Sequence, residues 1–268
     1  MRFGRIATPE GMCFCTIEGE GEDHSQLTAK EIKDTPFTEP EYTGREWRLS
    51  DVRLLAPVLP SKVVAIGRNY ADHVAEVFKK SAESLPPTLF LKPPTSVVGP
   101  GAAIKIPDFA TKVEFEGELA VVIGKPCKHV KADDWKSVVR GLTIINDVSS
   151  RDLQFADGQW ARAKGIDTFG PIGPWIETDL DKFDLDDQKI MARLTHEGET
   201  ELLQDSNSNQ MIMKMGEIIE FITASMTLLP GDVIATGSPA GTQAMVDGDY
   251  IEIEVPGLGK LGNPVENA

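Results

Sequence analysis

The stretch V-E-F-E-G-E-L-A-V-V-I-G, residues 113–124, carries two signals at once. Period-two alternation puts Glu114, Glu116 and Glu118 on one face of a β-strand, and the apolar run Leu119 to Ile123 reads as a strand covered on both faces. A lone E-x-E is most often a solvated strand face. Here the carboxylates stand where the strand enters protein interior, where like charges repel and lose hydration, so a compensating cation is expected.

Around this stretch the chain punctuates itself into further short strands. Residues 63–67, 88–91, 119–123, 142–145, 233–236 and 250–255 are apolar or alternating runs bounded by Gly, Pro or Asp. Residues 3–6 and 12–17 form a hairpin across T-P-E-G. Sequence of low hydrophobicity follows to about residue 48. The prolines of L-L-A-P-V-L-P, 54–60, mark a junction between a small N-terminal domain, 1–57, and a main domain, 58–268. Helices are expected over 70–81 and over 210–223, the second with Ile212, Met215, Ile219 and Ile222 on one face. Without a fixed repeat or a regular β-α-β alternation, a doubly wound or TIM-type sheet is not expected. The expectation is a strand-rich α+β fold, a mixed and mostly antiparallel β-roll or barrel.

Composition removes several function classes. The chain has 268 residues, 41% of them hydrophobic and 26% charged, and a formal net charge of −15 spread along its length. No basic face is available for nucleic acid. The three cysteines have no C-x-x-C pair and the four histidines do not cluster with them, so neither a disulfide framework nor a zinc site is expected. The longest early apolar stretch, Met12 to Ile17, is too short for a signal core or a membrane span, so a cytoplasmic location without membrane association is expected.

A third carboxylate, Asp147, ends the apolar strand in G-L-T-I-I-N-D-V-S-S-R-D-L-Q, just before Ser149 or Ser150 as the cap of a short helix. Taken alone it equally fits a turn residue. Three acidic oxygens without cysteine or clustered histidine suit a hard ion, Mg²⁺ or Mn²⁺. His73 and Glu76, three apart on the first expected helix, lie within hydrogen-bonding reach, as a solvated surface pair or as a proton-transfer pair. Lys164 lies in the glycine- and proline-rich R-A-K-G-I-D-T-F-G-P-I-G-P, and Arg151 follows Asp147 by one turn; either also fits an ordinary surface cation. The loop T-G-S-P-A-G, 236–241, can present backbone N–H groups to an anion. It lacks the Lys-Ser/Thr of a P-loop and the G-x-G-x-x-G pattern, which excludes nucleotide binding.

The ordered motifs R-L-L-A-P-V-L-P-S-K, G-R-N-Y-A-D-H-V, L-F-L-K-P, E-G-E-L-A-V-V-I-G, N-D-V-S-S-R-D-L-Q and A-T-G-S-P-A-G resemble the fumarylacetoacetate hydrolase family. The resemblance covers the chain from about residue 53 and is similar to its acylpyruvate hydrolase and oxaloacetate decarboxylase branch; residues 18–48 match nothing in it. It implies metal ligation by Glu116, Glu118 and Asp147 and a lid-helix dyad of His73 and Glu76. It also implies an active-site Lys164 and a substrate pocket with Arg68, Tyr70, Arg151, Gln154 and Thr236. Glu114 stands where the family more often has aspartate. The implied assembly is a homodimer with a small anionic 2-oxo acid as substrate. The implied reactions are, in order, oxaloacetate decarboxylation, acylpyruvate hydrolysis and the isomerisation or decarboxylation of a 2-hydroxyhepta-2,4-diene-1,7-dioate. A non-catalytic metal or carboxylate binder is the alternative of another class. The dyad helix is expected to act as a lid, hinged by the breaker-rich 81–87.

Overall fold

The computed structural model describes residues 1–82 and 86–268. Part of the breaker-rich segment 81–87 therefore lies outside the described residues. The N-terminal hairpin forms as expected, with β1 (Arg2–Thr8) and β2 (Gly11–Glu18) joined by a tight turn in which Thr8 pairs with Gly11. Residues 18–48, which carried no usable signal, add β3 (Thr28–Ile32) and β4 (Tyr42–Arg48) to this hairpin. Their inner face is built from Leu27, Ala29 and Ile32, and the buried Glu31 is neutralised by Arg45 at 2.6 Å. Small and paired-polar burial of this kind keeps local hydrophobicity low.

The chain continues through β5 (Arg53–Leu55), β6 (Val63–Gly67), α1 (Ala71–Phe78), β7 (Thr88–Lys92), β8 (Val97–Val98), β9 (Ile104–Ile106), β10 (Val113–Glu114), β11 (Gly117–Ile123), β12 (Val139–Asn146) and β13 (Ser149–Ser150). Then follow α2 (Arg151–Asp157), α3 (Ala161–Lys164), β14 (Gly170–Glu177), β15 (Lys189–His196), β16 (Glu199–Asn207), α4 (Met215–Ser225), β17 (Val233–Ala235), β18 (Tyr250–Val255) and β19 (Gly259–Asn267).

One sheet runs β4-β3-β2-β1-β14-β12-β11-β17-β6-β7, with β5 on β1 and β8 on β14; a second runs β16-β15-β18-β19-β9; β10 and β13 pair separately. Parallel pairing is confined, among the described residues, to β6–β17, β8–β14 and β9–β19. The fold is thus a strand-rich α+β arrangement of mixed sheets. Both large sheets keep open ends among the described residues, so the closed-barrel alternative does not hold. The main core, with Leu119, Val121, Ile123, Ile144, Ile251 and Ile253, fills the space between them.

Three local expectations are corrected. The second helix starts at Met215, and Ile212 is 46% exposed rather than on its inner face. The cause is Asn69: its carbonyl accepts the Ile212 N–H and its side-chain oxygen accepts the Met213 N–H, while Glu217 caps the helix at Lys214 N–H. The first helix ends at Phe78, because Lys79 adopts a left-handed φ of 55°. The glycine- and proline-rich run after Lys164 is a loop only as far as residue 169, and from Gly170 it becomes a buried strand, β14. Its prolines are accommodated where its pairing with β12 shifts register and where β8 and β1 take over as neighbours.

Candidate active site

The strand expected over 113–124 is interrupted at Phe115–Glu116, and that interruption makes the site. Asn146 accepts the Glu116 N–H through its side-chain oxygen at 2.9 Å, and the Asp147 N–H donates to the Glu116 carbonyl at 2.9 Å. A side chain replaces a ladder bond, β10 departs to pair with β13, and Glu116, Glu118 and Asp147 converge. Their carboxylate oxygens lie within 4.8 Å of one another, and all three residues are buried.

Buried lysines compensate this charge. Lys164 Nζ lies 2.6 Å from both Glu116 Oε2 and Asp147 Oδ2. Lys92 Nζ, fully buried, donates to Asp147 Oδ1 at 2.6 Å and to the Val148 carbonyl at 3.3 Å. Arg151 donates to Glu114 Oε2 at 2.7 Å and to Gln154 Oε1 at 2.8 Å, and its Nη2 lies 2.6 Å from Glu116 Oε1 without hydrogen-bond alignment. Burial raises the cost of ionising Glu116, but Lys164 and Arg151 more than offset it and hold its carboxyl well below the usual range. Glu118 goes the other way. Burial, with Asp147 and Glu116 beside it, pushes its carboxyl well above the ordinary value, and no described Lys, Arg or His lies within ion-pairing distance of it. Lys164, further off, and the Gly237 N–H, which donates to Oε2 at 2.7 Å, offset this only in part.

Three clustered hard oxygens, one of them on a carboxylate without a cationic partner, fit a divalent ion. Glu116, Glu118 and Asp147 would hold it.

Helix α1, expected to act as a lid, brings His73 against this cluster. His73 faces two carboxylates, with Nε2 3.5 Å from Glu116 Oε1 and Nδ1 3.7 Å from Glu76 Oε2. Burial disfavours the imidazolium, yet Glu116 and Glu76 outweigh it and the imidazole pKa is raised. Both Glu76 oxygens accept the Gly241 N–H at 3.1 Å. The 236–241 loop therefore does present backbone N–H groups to anions, and those anions are the chain's own Glu118 and Glu76.

Arg68, His73, Glu116, Glu118, Asp147, Gln154 and Lys164 line one common cavity, together with Phe78, Trp160 and Ser238. The space left among them is about 10 Å³, room for roughly one water molecule. Arg68, at a left-handed φ of 66°, lays its guanidinium 4.9 Å from the Phe78 ring and 5.2 Å from Trp160. Four expected residues do not line the cavity. Arg151 and Glu76 act from behind Glu116 and His73, and the Thr236 hydroxyl is spent on the Leu119 carbonyl at 2.8 Å. Tyr70 is fully buried with an unpartnered hydroxyl whose pKa is raised by burial and then by Glu118. Lys164 ends α3 rather than sitting in a loop. Arg151 opens α2 after the two-residue β13, and Ser150 occupies the cap position without a side-chain capping bond.

Lys92 and Trp160 were not assigned from sequence. Alternation in T-L-F-L-K places Lys92 on the same face as the buried Phe90, a signal that this lysine points inward. Trp160 carries no comparable local signal.

Residues 62–266 match the family described as fumarylacetoacetate (FAA) hydrolase C-terminal, and residues 1–57 match a family described as Rv2993c-like, N-terminal. The chain belongs to the fumarylacetoacetate hydrolase family. It is 51% identical over 265 residues to Protein Rv2993c of Mycobacterium tuberculosis, covering 99% of this chain and 98% of that one. To the mitochondrial oxaloacetate tautomerase Fahd2a of Rattus norvegicus it is 39% identical over 225 residues, 81% of this chain and 70% of the relative. Among solved structures, Cg1458 with an inhibitor is 85% identical and superposes with a TM-score of 0.99 over the whole of both chains. The 2-hydroxyhepta-2,4-diene-1,7-dioate isomerase of Mycobacterium marinum is 48% identical, with a TM-score of 0.90 over 100% of this chain and 98% of that one. Maleylpyruvate hydrolase from Sphingobium, in complex with manganese(II) and pyruvate, is 26% identical with a TM-score of 0.78 over the whole of both chains. Members of this fumarylacetoacetate hydrolase fold thus include isomerases and hydrolases, one of them holding a divalent metal. Among the described residues no helix is long and apolar enough to cross a membrane.

Proposed function

We propose that this chain is a divalent-metal-dependent enzyme acting on a small 2-oxo acid, and that its reaction is decarboxylation of oxaloacetate to pyruvate and CO₂. The observation that carries this reading is the convergence of three buried carboxylates, Glu116, Glu118 and Asp147, beside Lys164, and oxaloacetate is preferred because its decarboxylation needs only the enolate stabilisation such a site can offer and no activated water. Mg²⁺ or Mn²⁺ held by Glu116, Glu118 and Asp147 would supply Lewis-acid stabilisation of enolate charge. Lys164 adds fixed positive charge there, and Arg68 and Gln154 offer donors to the substrate's carboxylates. The bond from the methylene carbon to its carboxylate breaks, its electron pair passes into the enolate, and the carbon then takes a proton.

His73, facing Glu76 and Glu116, is placed to move protons at the mouth of the site. Acylpyruvate hydrolysis needs that imidazole to take a proton from water, a step absent from decarboxylation. A second reading, keto–enol tautomerisation of oxaloacetate, is favoured by the rat relative's name and uses the same enolate. The assembly we propose is a homodimer, which light scattering tests.

Pyruvate release from oxaloacetate with Mn²⁺, measured against Glu116→Gln at equal metal, tests the reading, since free Mn²⁺ decarboxylates oxaloacetate slowly unaided. Release no faster than that control, with cleavage of acetylpyruvate, puts the hydrolase in its place. Accelerated loss of the enol form without pyruvate makes it a tautomerase. In His73→Ala, hydrolysis should fall by about 10²-fold while decarboxylation keeps more of its rate.

A further inference from the structure

The 236–241 loop is a beam between two functional groups: Gly237 N–H holds Glu118, and Gly241 N–H holds Glu76 on the lid helix. What fixes the beam lies in the second sheet. The β15–β16 ladder shifts register so that Ala192 pairs with Gln204 and Arg193 with Leu202, leaving Leu203 as an extra residue. A bulge bends its strand and re-aims the neighbouring side chain. Here it sends the buried Gln204 toward the site. Gln204 Nε2 donates to the Pro239 carbonyl at 2.7 Å and to Ser238 Oγ at 2.8 Å, while Oε1 accepts the N–H of Gly117, between Glu116 and Glu118, at 3.0 Å. The bulged Leu203 carbonyl also sits so close to Gly241 that a Cβ there would stand 2.0 Å from it.

We propose that Gln204 is a positioning residue that locks the E-G-E strand to the 236–241 loop, fixing Glu118 for metal and Glu76 for the lid together. It touches neither. Its three bonds are the direct link, from the second sheet, between the segment carrying the ligands and the segment holding the latch. The Thr236 carbonyl, held by Asn69, and the Thr236 N–H and hydroxyl, both donated to the Leu119 carbonyl, anchor the near end of the loop. The inference rests, for its metal arm, on the three-carboxylate reading above.

Gln204→Met keeps volume and removes all three bonds. In chelator-stripped protein the Gly237 and Gly241 amides should exchange at least about tenfold faster relative to the core amides of β12. Mn²⁺ affinity by calorimetry should fall by about tenfold, the usual scale when a ligand's support is removed. Gln188→Met is the control for a purely structural role: Gln188 Nε2 bonds the Pro256 carbonyl, so its loss lowers stability and leaves Mn²⁺ affinity and both amides unchanged. If Gln204→Met does not fold, Gln204→Glu keeps an acceptor for Gly117 N–H and loses the donor to Pro239, and Gly241 should exchange faster while Gly117 does not. Unchanged Gly237 and Gly241 exchange in a folded variant overturns the proposal. Wild-type protein that fails to bind Mn²⁺ defeats the metal reading instead, and the exchange measurement still decides the role of Gln204.

Discussion

Lys164 Nζ stands 2.6 Å from Asp147 Oδ2 and equally close to Glu116 Oε2, so one buried ammonium bridges two of the three carboxylates that would hold a metal ion. Without metal this lysine is the compensating charge. A bound divalent ion would take over part of that compensation.

Lys164→Met should therefore destabilise the chelator-stripped protein by about 3 kcal/mol, because two buried carboxylates lose their shared cation. Saturating Mn²⁺ should recover much of that loss. Urea unfolding with and without metal measures both, and equal Mn²⁺ stabilisation of variant and wild type would contradict the account.

Glu116 and Glu118 should behave oppositely. Glu116→Gln strands Lys164 and Arg151, and in metal-free protein it should cost about 3 kcal/mol. Glu118→Gln replaces a carboxyl whose anion is already disfavoured by burial and by Asp147 and Glu116, so metal-free stability should hold or rise. Both variants should lose Mn²⁺ binding by calorimetry; a Glu118→Gln protein as unstable as Glu116→Gln would defeat the asymmetry.

Gly67 is a packing position. A Cβ there would stand 2.3 Å from Trp160 Cζ3, and Trp160 in turn stacks on Phe78 and backs the Arg68 guanidinium. Gly67→Ala should cost about 2 kcal/mol by overpacking and raise KM for oxaloacetate more than it lowers kcat. Thermal unfolding and steady-state kinetics check this; an unaltered KM means the aromatic wall does not shape the pocket.

Asp152 gives the fold an acid-sensitive joint. Its carboxylate accepts both the N–H and the hydroxyl of Thr111 at 2.8 Å. Burial works against ionisation, but the Ser150 and Thr111 donors prevail and hold its pKa at about 2. A depressed carboxyl pKa means stability present above the unfolded value near 4 and lost as pH falls toward 2. Asp152→Asn should be less stable than wild type at neutral pH by about 1 kcal/mol, solvent screening part of the effect. The gap should close between about pH 4 and pH 2 in acid titrations followed by circular dichroism; a gap independent of pH would falsify the assignment.

The carboxylate cluster was legible in part because E-G-E writes its geometry into three residues, while Asp147, at the end of a visibly apolar strand, fitted a turn residue equally well. Strands 63–67 and 250–255 were legible for the same reason, as apolar runs cut off by turn residues. Strand β14 was not, since its prolines and glycines mimic a loop and only its neighbours make it a strand. Lys92, Trp160 and Gln204 stayed hidden because their roles depend on pairing and packing across the fold. Glu118 meets Gly237 across 119 residues and Gln204 meets Gly117 across 87, distances over which no periodicity speaks.

The buried charge count has a kinetic consequence. Glu114, Glu116 and Asp147 match Lys92, Arg151 and Lys164 one for one and Glu118 adds a further carboxyl, so these buried side chains alone offer an approaching dianion no surplus of attraction. A divalent ion reverses that sign. Under the proposed function the cation would then have to arrive before or with the 2-oxo acid, and metal supply would gate turnover.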